Sequence, residues 1–202
     1  MTLEERIDRI VHTSEIELVG EAYKGKYELN DGKSMKKFIL DKLRKVYTNL
    51  STGDKITISH ESAGKLAKHL KDGEEYQKAL AHIPEIIEKM QFLEEMPPDK
   101  NDAKYSKYSY YITPANIDGK PHTILSTVGY KGGEIYYDHN IFKGTPEEVF
   151  ARTKNETNNP KYDRLNKILQ ETKEGNRGQI LVQTRETSEA STNKYTKNSP
   201  DV

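Results

Sequence analysis

The sequence predicts an α+β domain in which N-terminal helices pack on one face of a small antiparallel sheet, followed by a disordered C-terminal tail. Three observations carry this expectation. Met35, Phe38, Ile39, Leu43, Val46 and Leu50 form an apolar stripe at helical spacing in the first half of the chain. From Tyr105 onward the pattern switches to a period of two. Tyr108, Tyr110 and Ile112 alternate with Ser109 and Tyr111, and Ile124, Ser126, Val128 and Tyr130 alternate with Thr123, Leu125 and Thr127. Asp118-Gly119 and Gly132-Gly133 separate the runs. Such dipeptides supply the positive φ of tight hairpins and are too short for a parallel crossover. A meander over 105–138 and a strand near 55–59 therefore make up the expected sheet.

The elements follow in order. Leu3, Ile7, Ile10 and Val11 place a short helix over 2–12, and Ile16 to Val19 reads as a brief strand. Gly25 to Ser34 ends in Gly32-Lys33-Ser34, which matches the end of a phosphate loop. The motif needs a glycine where Tyr27 stands, so the stretch reads as a polar turn before a helix. Asp31 or Ser34 caps that helix, which extends to Leu50. Lys55 to Ser59 is a strand, and Ala63, Leu66, Ala67 and Leu70 make 60–71 a helix. Residues 74–93 are helical, with Pro84 kinking the helix or starting a fresh one. Met96 to Asp102 is a loop into the sheet. After the sheet, Thr145-Pro146-Glu147-Glu148 is a capped helix start for a helix reaching about Thr153. Residues 160–173 carry a thin helical stripe, 179–184 have strand character, and 186–202 hold almost nothing to bury.

Composition narrows the function classes. Of 202 residues, 33% are hydrophobic and 32% charged, which is polar for a globular domain and fits a partly unpacked chain. Lys+Arg and Asp+Glu both total 32, so no global field favours nucleic acid or membrane, although a local patch is compatible with this balance. There is no Cys, which excludes disulfides and thiolate metal sites. No apolar run approaches membrane-spanning length and MTLEER lacks signal character, so a cytoplasmic location is expected. The expected organisation is a helix and linker over 1–20, an α+β domain over 21–153 and a weakly structured tail over 154–202.

Six histidines supply most of the chemistry: His12, His60, His69, His82, His122 and His139. No His pair has the spacing of a zinc-protease helix and no aspartate cluster suggests a two-metal nuclease, so no metal is expected, nor a cofactor; the lack of a G-x-S-x-G elbow argues against a Ser-His-Asp hydrolase. Metal-free RNA cleavage suits the inventory. It needs a base for the 2′-OH, an acid for the leaving oxygen and a cation for the phosphorane. His69 as base or acid, His139 as its partner, Lys65 as the cation and Tyr137 as a positioning group form the candidate set, provided that the 60–71 helix packs beside the end of the last strand. His60, Ser62, Tyr110 and Asp138 are the candidate substrate contacts, with tyrosines of the sheet offering stacking faces. His60 also reads as a simple helix cap.

Lys55-Ile56-Thr57-Ile58-Ser59, Gly64-Lys65, His69, the run Ala79 to Glu88, Asp118-Gly119-Lys120 and Tyr136-Tyr137-Asp138-His139 occur in that order. Together they resemble the small α+β domain of large polyvalent proteins from phages and conjugative elements, over roughly residues 20–143. That domain in turn resembles the barnase, EndoU, colicin and RelE-like nuclease superfamily. The resemblance implies a metal-independent endoribonuclease of effector or toxin type, RNA as substrate, and a cognate immunity or antitoxin protein as partner. Lys65, His69, Tyr137 and His139 match its polar signature. The alternative is a non-catalytic interaction or immunity module that binds a protein through the tyrosine-rich sheet.

Overall fold

The computed structural model describes residues 1–69, 72–98, 104–132, 134–155 and 159–170. The chain divides into two units, Met1–Arg152 and Thr153–Val202. The expected strand over 179–184 and the expected disorder over 186–202 lie outside the described residues; within the second unit a helix covers residues 163–170.

The first unit is α+β. In order it holds α1 (Leu3–Val11), β1 (Ile16–Leu18), α2 (Gly32–Phe38), a π-turn (Ile39–Leu43), β2 (Val46–Thr48), β3 (Lys55–Thr57), α3 (His60–Leu66), α4 (Glu74–Ala79), a 3₁₀ turn (Leu80–His82), α5 (Ile83–Lys89), β4 (Gln91–Met96), β5 (Lys107–Ile117), β6 (Lys120–Lys131) and β7 (Glu134–Lys143), with α6 (Pro146–Asn155) running past its end. The expected 1–20 linker is an integral part of this unit. A reciprocal capping box between Thr2 and Glu5 starts α1, and Arg6 anchors it to Glu94 of β4.

The meander β5–β6–β7 is antiparallel in unbroken register from Lys107↔Tyr130 to Lys131↔Glu134. Asp118 (φ 52°) and Gly119 (φ 77°) make its first turn, as the dipeptide requires. The sheet is mixed, because β1 pairs with β5 in parallel over Ile16↔Ala115 to Leu18↔Ile117. β4 pairs antiparallel with the earlier half of β5, Tyr108 to Ile112. Pro114 sits between these two ladders, where its missing N–H disrupts neither.

Two expected helices break into shorter elements. The helix beginning near Ser34 ends at Leu43, and Val46, Tyr47 and Thr48 form a strand instead. β-branched and aromatic residues at a period of two outweigh the helical stripe there, and Val46 and Leu50 are left 59% and 69% exposed. In the second case, Pro84 starts a fresh helix, since its fixed φ suits a first turn, and Met90 turns extended (ψ 140°) to open β4 where helix was expected to continue to residue 93. β3 joins β2 in a separate two-stranded ladder and not the main sheet.

One core lies between the helices and the face of the sheet that carries Tyr111, Ala115, Ile117, Ile124, Val128, Tyr137 and Ile141. It receives Met35, Ile39, Ala63, Leu66, Tyr76, Leu80, Ile83 and Ile87 from the helices. The other face of the sheet, with Ile112, Leu125, Tyr136 and Phe142, is buried as well. Asn49 ties the β2–β3 hairpin to α5: its amide donates to the carbonyls of Ile87 (2.9 Å) and Met90 (2.7 Å) while its Oδ1 accepts from Ser51 and Thr52.

Candidate functional site

β7 is an edge strand of the main sheet, and α3 packs against it. Ser59 caps α3 by accepting from the Ser62 N–H at 3.1 Å, which leaves His60 as the first helical residue, exposed and not the cap. Ser62 is wholly buried. Its Oγ accepts the Tyr137 N–H at 2.9 Å, a donor on the unpaired side of β7. One strand residue further on, the Asp138 carboxylate accepts the His139 N–H at 2.9 Å. These two side chains close an edge that would otherwise offer free N–H groups to another strand. The tetrad 136–139 thus lies in the middle of β7, whereas the sequence pattern put it at the strand's end.

α3 stops at Leu66, so Ser62, Lys65 and His69 do not share one helical face; the turn after the helix carries His69. The Asp72 N–H donates to the His69 carbonyl at 3.1 Å, and the Asp72 carboxylate meets His69 Nδ1 at 2.7 Å. On the opposite edge of the ring, Nε2 lies 3.6 Å from Asp138 Oδ2, beyond hydrogen-bonding distance. Two carboxylates therefore flank one imidazole that is one-third exposed, with Asp72 41% and Asp138 8% exposed. A carboxylate on Nδ1 selects the Nδ1–H tautomer and leaves Nε2 as the proton-accepting atom. Because the carboxylates lie on opposite edges of the ring, they do not converge on a common point as metal ligands do. Among the described residues no group of three or more His, Asp or Glu is arranged to hold a metal ion.

Tyr76 of α4 separates the two histidines of this region. Its ring centroid is 5.5 Å from that of His69 and 4.6 Å from that of His139, and its hydroxyl donates to the Leu66 carbonyl at 3.3 Å. Burial holds the Tyr76 phenol well above its ordinary pKa, and the neighbouring Asp138 adds to the effect. His139 is completely buried, and neither of its ring nitrogens makes a hydrogen bond of ordinary geometry, although the Tyr76 backbone lies close enough to favour its protonated form slightly. Burial lowers its pKa to about 4 against the opposing pull of Asp138, so the ring is neutral at pH 7. Tyr137 is also fully buried, its phenol pushed upward by desolvation, with Ser126 Oγ 3.3 Å from its hydroxyl.

The structure thus gathers Lys65, His69, Ser62, Tyr137, Asp138 and His139 at the α3–β7 joint, in two layers. His69, Asp72 and Lys65 reach the surface, with the Lys65 ammonium 4.4 Å from the centre of the Tyr136 ring. Tyr137, His139 and Ser62 form the inner layer, and no substrate reaches them in this conformation. Tyr110 lies in one cross-strand row with Thr127 and Asp138 but two strands away, and it is buried. It offers no stacking face. Asp72 was the residue that sequence reasoning passed over. Its signal was the i, i+3 spacing from His69 just before Gly73, whose φ of 96° breaks the chain ahead of α4.

The class of protein defined by this architecture is a small α+β domain with an edge strand sealed by a helix. The family model of large polyvalent protein-associated domain 3 matches residues 26–137, more than half of the chain, and the chain belongs to that family. No curated protein and no solved structure matches it. Among the described residues no helix is long and apolar enough to cross a membrane.

Proposed function

We propose that this domain is a metal-independent endoribonuclease-like module of a phage or mobile-element protein, of effector or toxin type, and that His69 is its reactive group. The observation that carries the reading is the pairing of a surface-accessible imidazole with the Asp72 carboxylate at 2.7 Å. This arrangement fixes the ring and leaves Nε2 to take the proton from an RNA 2′-OH. Protonated, the same ring can return a proton to the leaving oxygen, and Lys65 supplies a cation for the phosphorane. His139 and Tyr137, expected to act directly, serve in this reading as buried supports that position β7 beneath Asp138.

A second reading, a non-catalytic interaction or immunity module, draws on the burial of those same two residues. Such a module would use the exposed Val46 and Leu50, because Tyr110, Tyr111, Tyr136 and Tyr137 of the sheet are buried. The test is incubation of purified protein with total RNA in EDTA, alongside His69→Ala. EDTA-resistant cleavage that His69→Ala abolishes is the expected result. Cleavage that survives His69→Ala overturns the assignment, and the absence of cleavage of any RNA, with no growth defect on expression, favours the second reading.

A further inference from the structure

The lysines of this chain fall into two groups. Lys24, Lys37, Lys78, Lys89, Lys104, Lys107 and Lys143 each lie within ion-pair distance of a carboxylate. Among the described residues Lys26, Lys42, Lys45, Lys55, Lys65, Lys120 and Lys131 are in no pair of this kind, and neither are Lys33 and Lys36 of α2 or Lys68 just beyond α3; what sets these last three apart is that they line one cleft of about 570 Å³ between α2 and α3. The acidic group on that cleft is Asp31, and its carboxylate is already engaged: Oδ1 caps α2 by accepting the N–H groups of Lys33 (2.9 Å) and Ser34 (3.2 Å). A zero net charge over the whole chain thus coexists with a cleft where three lysines outnumber the one carboxylate.

The form of the cleft decides what kind of anion fits. A nucleotide loop binds phosphate with free backbone N–H groups. Here those donors are spent on Asp31, and Ser34 Oγ accepts the Glu28 N–H at 3.0 Å. Recognition therefore falls to flexible ammonium groups, which follow a chain of phosphates without reading a single compact one. This side of α3 is open at Gly64 on the facing wall, where a Cβ would meet nothing within 4 Å. Lys68, on the cleft, directly precedes His69 in the turn that follows α3.

We infer that the α2–α3 cleft is a binding track for the phosphates of a single RNA strand, held by Lys33, Lys36 and Lys68. This deepens the proposed function and rests on it for the choice of RNA. The measurement is the fluorescence anisotropy of a labelled single-stranded RNA, in a His69→Ala background so that the probe stays intact. The triple variant K33Q/K36Q/K68Q is compared with K24Q/K78Q/K89Q, which removes the same charge elsewhere. Loss of affinity of tenfold or more in the cleft variant, a shallower salt dependence, and less than twofold change in the control are expected. Equal losses in both variants, wild-type affinity in the cleft variant, or no RNA binding by the parent protein would each overturn the inference. RNA bound through the cleft by a protein that never cleaves it leaves the track standing and removes the nuclease reading, so the two ideas fail separately.

Discussion

His69 and His139 rest against the same tyrosine and occupy opposite environments. His69 sits on a turn at the rim of α3, one-third exposed and flanked by Asp72 and Asp138. His139 sits in the middle of β7, sealed from water, with no well-formed hydrogen bond at either ring nitrogen. The difference teaches that residue type and proximity do not assign a chemical role. A ring that exchanges protons with a substrate needs access and a partner that stabilises its charge. A ring in an apolar layer stays neutral and acts as a flat, slightly polar wedge.

The largest expected effect that separates the two is on turnover. On the proposed nuclease reading, His69→Ala lowers RNA cleavage roughly 10²–10⁴-fold, the usual range for a lost acid–base group, while Tm stays within a few degrees. Asp72→Asn should reproduce part of that loss and shift the pH profile of the rate, since the amide no longer holds the Nδ1–H tautomer. For His139 the signs reverse. His139→Ala should destabilise by about 3 kcal/mol in chemical denaturation, because it opens a cavity beneath Tyr76 and Tyr137. His139→Phe removes two unmet nitrogens and keeps the ring, so stability should stay within about 1 kcal/mol of wild type with cleavage retained. Loss of cleavage in a folded His139→Phe protein would put His139 back among the catalytic residues.

The buried ring also predicts a pH dependence. Its folded pKa, about 4, lies below the ordinary 6.5, so the unfolded chain binds the proton more readily. Stability from this group is fully present above about pH 6.5 and is lost as the pH falls towards 4, by on the order of 3 kcal/mol. Denaturation curves across that window should show the slope in wild type and in His69→Ala, and lose it in His139→Phe. A smaller loss than that of His139→Ala belongs to the seal between the layers. Ser62→Ala leaves the Tyr137 N–H unmet at the edge of β7 and should cost about 1–2 kcal/mol, measured by the same denaturation.

Much of this was legible in the residues themselves. Alternation in Tyr108 to Ile112 and Ile124 to Tyr130, with Asp118-Gly119 between, specified the meander, because strand pairing across a tight turn is a local matter. The packing of α3 on β7 is there, but beside the middle of the strand and not its end. The helix breaks near Val46 and Met90 were not legible, since an apolar residue every few positions suits either a helix or a short strand until the neighbouring elements choose. The sequence by itself determined the α+β class, the hairpins and the residues from which a site can be built. Only the tertiary structure decided which of them face solvent. The contacts that make the site join His69 to Asp138, Ser62 to Tyr137 and Tyr76 to His139, across about 60–80 residues of chain, and whether a side chain ends inside or outside depends on what packs over it, which no local period encodes.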